Sequence, residues 1–151
     1  MPTYTVRQAA IQDVENLSEV FDFYRIFYEQ SSDVIGAKAF LQERMDRQES
    51  TIIIVIEEST NRIVGFAQLY PVFTSIGMKR SLILNDLYIV NEHRRQGLAG
   101  RLLDAVYACG VELGVQGIEL STACTNYEAQ SLYKQHGYVK DTKYEHYYVQ
   151  C

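Results

Sequence analysis

The chain has 151 residues, of which 47% are hydrophobic and 22% are charged. This size and composition predict a single globular domain over residues 1–151 and exclude disordered, collagen-like and extended coiled-coil proteins. Fourteen basic residues against 19 acidic ones give a formal net charge of −5. An acidic balance disfavours nonspecific nucleic-acid binding and favours a small cationic substrate. The 12 tyrosines without any tryptophan indicate many half-buried rings whose polar tips serve hydrogen bonding or chemistry.

The three cysteines, Cys109, Cys124 and Cys151, are odd in number and show no CxxC spacing. We therefore expect neither a disulfide framework nor a zinc knuckle, and a reducing, cytoplasmic setting is the simplest interpretation. The three histidines have no metal-ligand spacing, so no metal is expected. The N-terminus has no apolar signal-peptide region, and the longest aliphatic run, Ile52 to Ile56, is far short of the ~20 residues that span a bilayer. The sequence thus predicts a soluble, unexported protein with no membrane partner.

The first third of the chain predicts one strand and two helices. The strand covers Tyr4 to Arg7, and Asp13 is a candidate N-cap for the helix that follows. Apolar residues in that helix fall at spacings of three and four, as in an amphipathic helix. They are Val14, Leu17, Phe21, Tyr24 and Tyr28. A second helix is predicted from Ala37 to Arg47, after a polar break.

The middle of the chain predicts three strands and the clearest helix. Thr51 to Glu57 and Arg62 to Tyr70 flank turn-forming residues, which is typical of an antiparallel hairpin, and Pro71 is expected to end it. A long β-rich run follows from Ser81 to Val90. The helix from Gly97 to about Leu113 carries one apolar stripe. That stripe consists of Leu98, Leu102, Val106, Cys109 and Leu113.

The last part of the chain predicts a strand at Ile118 to Ser121, a helix from Tyr127 to His136 and an aromatic strand at Lys143 to Val149. The helix stops at Gly137, the residue type favoured just past a helix end. The resulting order, β-α-α-β-β-β-α-β-α-β, belongs to one mixed α/β unit. A strand, a helix and a strand over residues 81–121 imply a right-handed parallel crossover.

The segment between the long strand and the clearest helix is a candidate anion site. Its residues are Arg94, Arg95, Gln96, Gly97, Leu98, Ala99 and Gly100. Small residues let a ligand approach the backbone, and a helix start offers unpaired N–H groups at a positive dipole end. Two arginines beside them suit a pyrophosphate. A solvated basic turn capped by glycines is the alternative, whereas a P-loop and the GxGxxG fingerprint are both absent from the sequence.

A second pattern, NxxAxxLYxxxGY, follows about 30 residues later. It is formed by Asn126, Ala129, Leu132, Tyr133, Gly137 and Tyr138. Alternatively, Leu132 and Tyr133 are core contacts of a short helix, with Asn126 as its cap. The fixed order of the two patterns makes coincidence improbable.

These two patterns resemble the GNAT superfamily of acyl-CoA-dependent N-acetyltransferases. Its cofactor motif, R/QxxGxG/A, is matched by Arg94, Gly97 and Ala99 after a strand that ends in an LYV-like segment, 87–89. The resemblance covers nearly the whole chain and looks closest to the small histone/polyamine-acetylating branch. It implies an α/β fold with a mixed, largely antiparallel sheet, a central parallel pair and flanking helices.

The resemblance also implies roles for individual residues around acetyl-CoA, the co-substrate. The backbone of Leu87, Tyr88 and Ile89 would contact the acetyl group and pantetheine arm, and N–H groups from Arg95 to Gly100 would hold the pyrophosphate. Asn126 would hydrogen-bond the pantetheine side. Tyr133 would lie near the sulfur as general acid, because a thiolate departs more easily when a phenol protonates it.

Amine activation is the other half of the reaction, since a primary amine with a pKa of ~10.4 is almost entirely protonated at neutral pH. Part of the family has Glu-Asp before its LYV-like segment, whereas this chain has Asn85 and Asp86. Asp86 is the remaining nearby carboxylate, and a catalytic role and a strand-end hydrogen-bonding role both stay open. Tyr24, Tyr28 and Glu29 end the first helix, where this fold builds its acceptor pocket, although the two tyrosines also suit core packing.

The sequence therefore predicts acetyl transfer from acetyl-CoA to a primary amine of a small cationic molecule or a basic peptide. The transfer would occur by direct attack, with Tyr133 as general acid and Asp86 as the candidate base. A noncatalytic acyl-CoA-binding or sensing module of the same fold is the alternative. The alternating Tyr144, His146 and Tyr148 of the last predicted strand suggest a contact in a homodimer.

Overall fold

A computed structural model describes residues 2–151. The chain forms two compact units, of which the first ends at Ser121 and the second comprises Thr122–Cys151. In chain order the elements are β1 (Tyr4–Gln8), α1 (Val14–Phe27), α2 (Val34–Asp46), β2 (Thr51–Glu57), β3 (Arg62–Thr74), β4 (Lys79–Ile89), α3 (Leu98–Leu113), β5 (Ile118–Glu119) and α4 (Tyr127–Gln135). The first nine predicted elements are confirmed in type and in order.

The first unit contains a five-stranded sheet in the order β1-β2-β3-β4-β5. Neighbouring strands from β1 to β4 are antiparallel, and β4 and β5 are parallel. The predicted parallel connection around α3 is therefore confirmed. Because β5 pairs only with Leu82 and Ile83 of β4, residues 84–89 continue past the end of β5.

The core lies on both faces of the central strands. Residues 52–55 of β2 are all buried in succession. Successive side chains of a strand point to opposite faces, so such a run requires cover on both sides of the sheet. Phe21 of α1 covers one face, with its ring 5.7 Å from that of Phe66 on β3.

The apolar stripe of α3 supplies further core residues. Its buried members are Leu98, Leu102, Leu103, Val106 and Gly110. The stripe thus ends at Gly110, whereas the predicted member Cys109 is half-buried and Leu113 is exposed. Gly97 and Gly114 cap the helix with φ of 74° and 68°, a left-handed conformation that glycine adopts without a steric penalty.

Two predicted boundaries differ from the structure by three residues or more. The second helix begins at Val34 and not at Ala37, because the side chain of Asp33 caps it by accepting a hydrogen bond from the Gly36 N–H at 2.9 Å. Pro71 does not end β3, which continues to Thr74. Strand β2 begins opposite Leu69, so beyond that residue β3 has a free edge on the β2 side, where proline is tolerated.

The predicted last strand, Lys143 to Val149, is absent from the described part of the chain. Those residues form no regular structure, and Tyr144 and Tyr148 are 73% and 87% exposed. The carboxylate of Asp141 accepts hydrogen bonds from the backbone N–H groups of Lys143 and Tyr144, at 2.9 and 3.3 Å. Such local side-chain bonds occupy donors that a strand ladder would use.

Candidate active site

Strand β4 contains a β-bulge at Asn85. Gln68 of β3 pairs with Asp86, but the next residue, Leu69, pairs with Leu84. Between these two pairs β4 advances by two residues while β3 advances by one, so Asn85 is the extra residue. Bulges re-aim side chains and interrupt the ladder, and they are frequent next to active sites. Beyond Ile83 no strand within residues 2–151 pairs with β4 on its β5 side.

The segment 94–97, which we name the anion loop, joins the 3-10 turn Asn91–His93 to α3. Arg95 and Gly97 have positive φ values of 62° and 74°. No side chain caps the start of α3, and a Cβ at Gly97 would meet nothing within 4 Å. The loop thus presents backbone to an open space at the positive end of a 16-residue helix. This geometry suits a bound anion.

The side chain of Arg94 points away from this open backbone. Its Nε donates to the carbonyl oxygen of Ile89 at 2.9 Å. Its guanidinium carbon lies 5.4 Å from the ring centroids of both Phe27 and Tyr88. Arg94 therefore links the anion loop to the end of β4 and to the last residue of α1 through cation–π contacts.

Asp86 is buried and is surrounded by hydrogen-bond donors. Gln68 Nε2 donates to its Oδ2 at 2.9 Å, and Asn85 Nδ2 donates to its Oδ1 at 3.2 Å. The hydroxyl of Tyr24 lies near this carboxylate and interacts with it electrostatically. Only 6% of Asp86 is exposed. We name Tyr24, Gln68, Asn85 and Asp86 the Asp86 cluster. The predicted hydrogen-bonding role of Asp86 is confirmed, and its predicted catalytic role stays a prediction.

Two phenols beside Asp86 stay protonated at neutral pH. Burial and the nearby Asp86 raise the pKa of Tyr24 well above its usual range. The same two causes raise the pKa of Tyr70 to about 12. Both hydroxyls are therefore donors, which suits an acceptor such as a carboxylate.

Gln68 is the member of the cluster that sequence reasoning missed. It is fully buried, and its Oε1 accepts no hydrogen bond within the described residues. A buried oxygen without a donor carries a desolvation cost, so it is a candidate acceptor for a ligand N–H. The sequence does hold a signal: one amide interrupts an otherwise apolar strand between Ala67 and Leu69.

The three predicted acceptor residues at the end of α1 lie in different environments. The core-packing alternative is confirmed for Tyr24, whose ring lies 5.5 Å from that of Phe66, and its acceptor role stays a prediction. Tyr28 caps α1, is 59% exposed and lies 5.1 Å from the ring of Tyr24. Glu29 is exposed past the helix end, with φ of 64°. Tyr88 completes this aromatic group, with its ring 5.7 Å from that of Tyr24.

The second unit carries the other predicted residues on α4. Asn126 is the N-cap of this helix, and its Oδ1 accepts the Ala129 N–H at 3.2 Å. The predicted capping role is thus confirmed, and the amide nitrogen is the group left for the predicted pantetheine contact. The ring of Tyr133 lies 5.9 Å from that of Tyr138. Burial and the neighbouring Tyr133 raise the pKa of Tyr138.

Residues 2–151 lack two features. They contain no group of three or more histidine, cysteine or carboxylate side chains able to hold a metal ion. They also contain no helix that is long and apolar enough to cross a membrane.

Comparison with known proteins gives a consistent set of relatives. The model of the acetyltransferase (GNAT) family matches residues 17–138. The uncharacterized N-acetyltransferase YhfO of Bacillus subtilis is 44% identical over 142 residues, which cover 94% of each chain. The crystal structure of a probable acetyltransferase has a TM-score of 0.92 at 33% identity and covers 97% of each chain. The D-amino-acid N-acetyltransferase HPA3 of Saccharomyces cerevisiae is 30% identical over 58% of this chain and 55% of its own.

The fold, the family match and these relatives define an acetyltransferase with the mixed sheet and flanking helices predicted from the sequence. The chain belongs to the GNAT family and is an acetyl-CoA-dependent N-acetyltransferase. The comparisons give no support to the noncatalytic alternative.

Proposed function

We propose that this enzyme acetylates a primary amine of a small cationic molecule or a basic peptide, with residues 1–151 acting as one N-acetyltransferase domain. The observation that carries the proposal is the buried carboxylate of Asp86, which donors hold at the bulge of β4. The family match, which runs from residue 17 to residue 138 and so spans both units, supports the assignment to one domain.

Acetyl-CoA, when bound, supplies an activated thioester. The backbone of Leu87, Tyr88 and Ile89 binds its acetyl and pantetheine groups, beside the ladder interruption at Asn85. A backbone N–H there stabilises the negative charge that develops on the carbonyl oxygen. Residues 94–100 hold the diphosphate, and Asn126 binds the pantetheine arm. The uncapped start of α3 and the positive φ of Arg95 and Gly97 support this placement of the diphosphate.

The attack of the amine on the thioester requires proton transfers at the nitrogen and at the sulfur. The amine nitrogen forms a bond to the carbonyl carbon, and the bond from that carbon to sulfur breaks. Asp86 takes the proton that converts the ammonium form into the free amine, directly or through a water molecule, and releases it to solvent. Tyr133 gives a proton to the departing thiolate, and the second proton that the nitrogen loses as the amide forms returns to Tyr133 through solvent. Gln68 and Asn85 keep the Asp86 carboxylate in one orientation.

Charge and hydrogen-bonding chemistry support a cationic acceptor. The chain has a net charge of −5, and the Asp86 carboxylate and the unpaired Gln68 Oε1 both accept N–H donors. Aromatic rings beside them, those of Tyr24, Tyr28 and Tyr88, offer faces that attract cations. Glu29 adds a carboxylate at the exposed end. The yeast relative is named for D-amino acids, which also carry a primary amine; polyamines and histone-like basic peptides meet the same requirements.

The assembly and location are part of the proposal. The exposed aromatic residues of the tail, with Tyr144 73% and Tyr147 93% exposed, support a homodimer contact. The free thiols of Cys109, Cys124 and Cys151 support a reducing, cytoplasmic compartment.

The test measures free-thiol release from acetyl-CoA against polyamines, amino acids, aminoglycosides and basic peptides. We expect turnover with one cationic class and none with neutral alcohols of similar size. Turnover that prefers an anionic acceptor would contradict the substrate class. Calorimetry with acetyl-CoA alone gives the binding of the co-substrate, which is independent of the acceptor.

A further inference from the structure

Tyr4 of β1 makes an unusual set of contacts with residues almost a hundred positions away. It is only 8% exposed, and its ring lies 5.7 Å from that of His93, edge to face. Its hydroxyl lies 2.8 Å from His93 Nδ1 and donates to Gln96 Oε1 at 3.0 Å. Tyr4 lies outside both sequence motifs, so neither motif accounts for these contacts.

The donors and acceptors define the direction of this chain of hydrogen bonds. A phenol has one hydrogen, and here it goes to Gln96 Oε1, because a carbonyl oxygen can only accept. The Tyr4 oxygen must then accept from His93, so His93 carries its proton on Nδ1. Glu57 Oε2, 3.9 Å from that nitrogen, favours a proton there.

These contacts bracket the anion loop. His93 is the last residue of the 3-10 turn before the loop, and Gln96 lies within it. On the other side, Arg101 in the first turn of α3 donates from Nη2 to the backbone oxygen of Tyr4 at 3.2 Å. One residue of β1 is thus joined to the segment before the loop, to the loop and to the helix after it.

The anion loop needs such support. Arg95 has a φ of 62°, a conformation that a non-glycine residue keeps only when its surroundings hold it. A loop that is already in its binding conformation binds more tightly, because it loses less freedom when the ligand arrives.

We propose that Tyr4 is a positioning residue that holds the anion loop in its diphosphate-binding conformation through His93 and Gln96. The inference rests on the proposed function, since it takes this loop as the diphosphate site. Tyr4 itself touches no reacting atom. Its loss therefore weakens the binding of the nucleotide end of the co-substrate and leaves the chemical step unchanged.

The experiment replaces Tyr4 with phenylalanine, which removes only the hydroxyl. We expect Tyr4→Phe to weaken CoA binding about tenfold in calorimetry, the size of a hydrogen bond of about 1.4 kcal/mol. The KM for acetyl-CoA should rise by the same factor with kcat unchanged. S-acetylpantetheine, which has the thioester arm without the diphosphate, should keep its kcat/KM. Tyr107→Phe, on an exposed tyrosine of α3, is the matched control.

A second variant tests the same hydrogen bond in case Tyr4→Phe does not fold. Gln96→Ala removes the other end of the same hydrogen bond from an exposed residue, and the double variant should be no weaker in CoA binding than Tyr4→Phe alone. Additive losses, or an equal loss with S-acetylpantetheine, would overturn the role of Tyr4. If the wild-type chain binds S-acetylpantetheine and CoA equally well, the diphosphate assignment of the loop fails instead, and this inference fails with it.

Discussion

The anion loop is built from backbone, whereas the Asp86 cluster is built from side chains. In the loop, the required features are two positive φ angles and an uncapped helix start that faces open space. In the cluster, three side chains from α1, β3 and β4 meet one buried carboxylate. A backbone site needs small residues at fixed spacing, which a short motif can record. A side-chain site depends on elements far apart in the chain, so its parts vary independently.

The largest expected effect comes from the side-chain site. Asp86→Asn keeps the shape of the residue and removes its charge, so kcat/KM should fall about a hundredfold or more. A pH–rate profile of thiol release measures this loss at each pH. Asp46→Asn, on an exposed residue at the end of α2, is the matched control. An unchanged profile would move the base elsewhere or leave its role to water.

The second effect concerns the predicted acid on α4. Tyr133→Phe should lower kcat about a hundredfold, because the thiolate then leaves without a positioned proton donor, while the affinity for CoA stays the same. Rates at saturating acetyl-CoA and calorimetric titration separate the two quantities. Tyr127→Phe changes an exposed tyrosine of the same helix and should have no effect. Equal turnover across the pH range would remove the acid role from Tyr133.

A smaller effect is expected in the backbone site. At Gly97 a Cβ would meet no protein atom within 4 Å, so Gly97→Ala adds no clash within the protein and adds the cost of a φ of 74°. That cost of roughly 1–2 kcal/mol corresponds to about tenfold weaker CoA binding if the loop relaxes to a negative φ. Gly117→Ala has equally open space without the positive φ and should bind CoA normally. Equal binding by both variants would mean that this φ is not required.

The smallest expected effect is a loss of activity without a matching loss of stability. Gln68→Leu removes the donor to Asp86 and also the buried oxygen that has no partner. We expect kcat/KM to fall a few-fold, because Asp86 loses part of its orientation, while the free energy of unfolding changes by less than about 1 kcal/mol. Denaturant unfolding measures the free energy of unfolding, and thiol release measures kcat/KM. A large loss of stability with unchanged kcat/KM would make Gln68 a structural residue only.

The same contrast explains how much the sequence could predict. Periodicity placed α3 within one residue, and small residues with arginines marked the anion loop, since both depend on local spacing. The loop was found as a backbone feature, but Arg94 turned out to face Phe27 and Tyr88, a long-range contact that spacing does not record. Gln68 was missed for the same reason. The predicted last strand was wrong; at its start Asp141 accepts the N–H groups of Lys143 and Tyr144, local hydrogen bonds that no β-propensity scale includes.

The bulge at Asn85 has a consequence for how this strand can vary. Gln68 pairs with Asp86 and Leu69 pairs with Leu84, so Leu84 and Asp86 lie on opposite faces of the sheet although they are two residues apart. Deleting Asn85 would leave both pairs in place and restore a regular ladder, but it would remove the amide that donates to Asp86 Oδ1. A related sequence with a gap here would therefore keep its carboxylate opposite Gln68, on a strand without the bulge and with one hydrogen bond fewer.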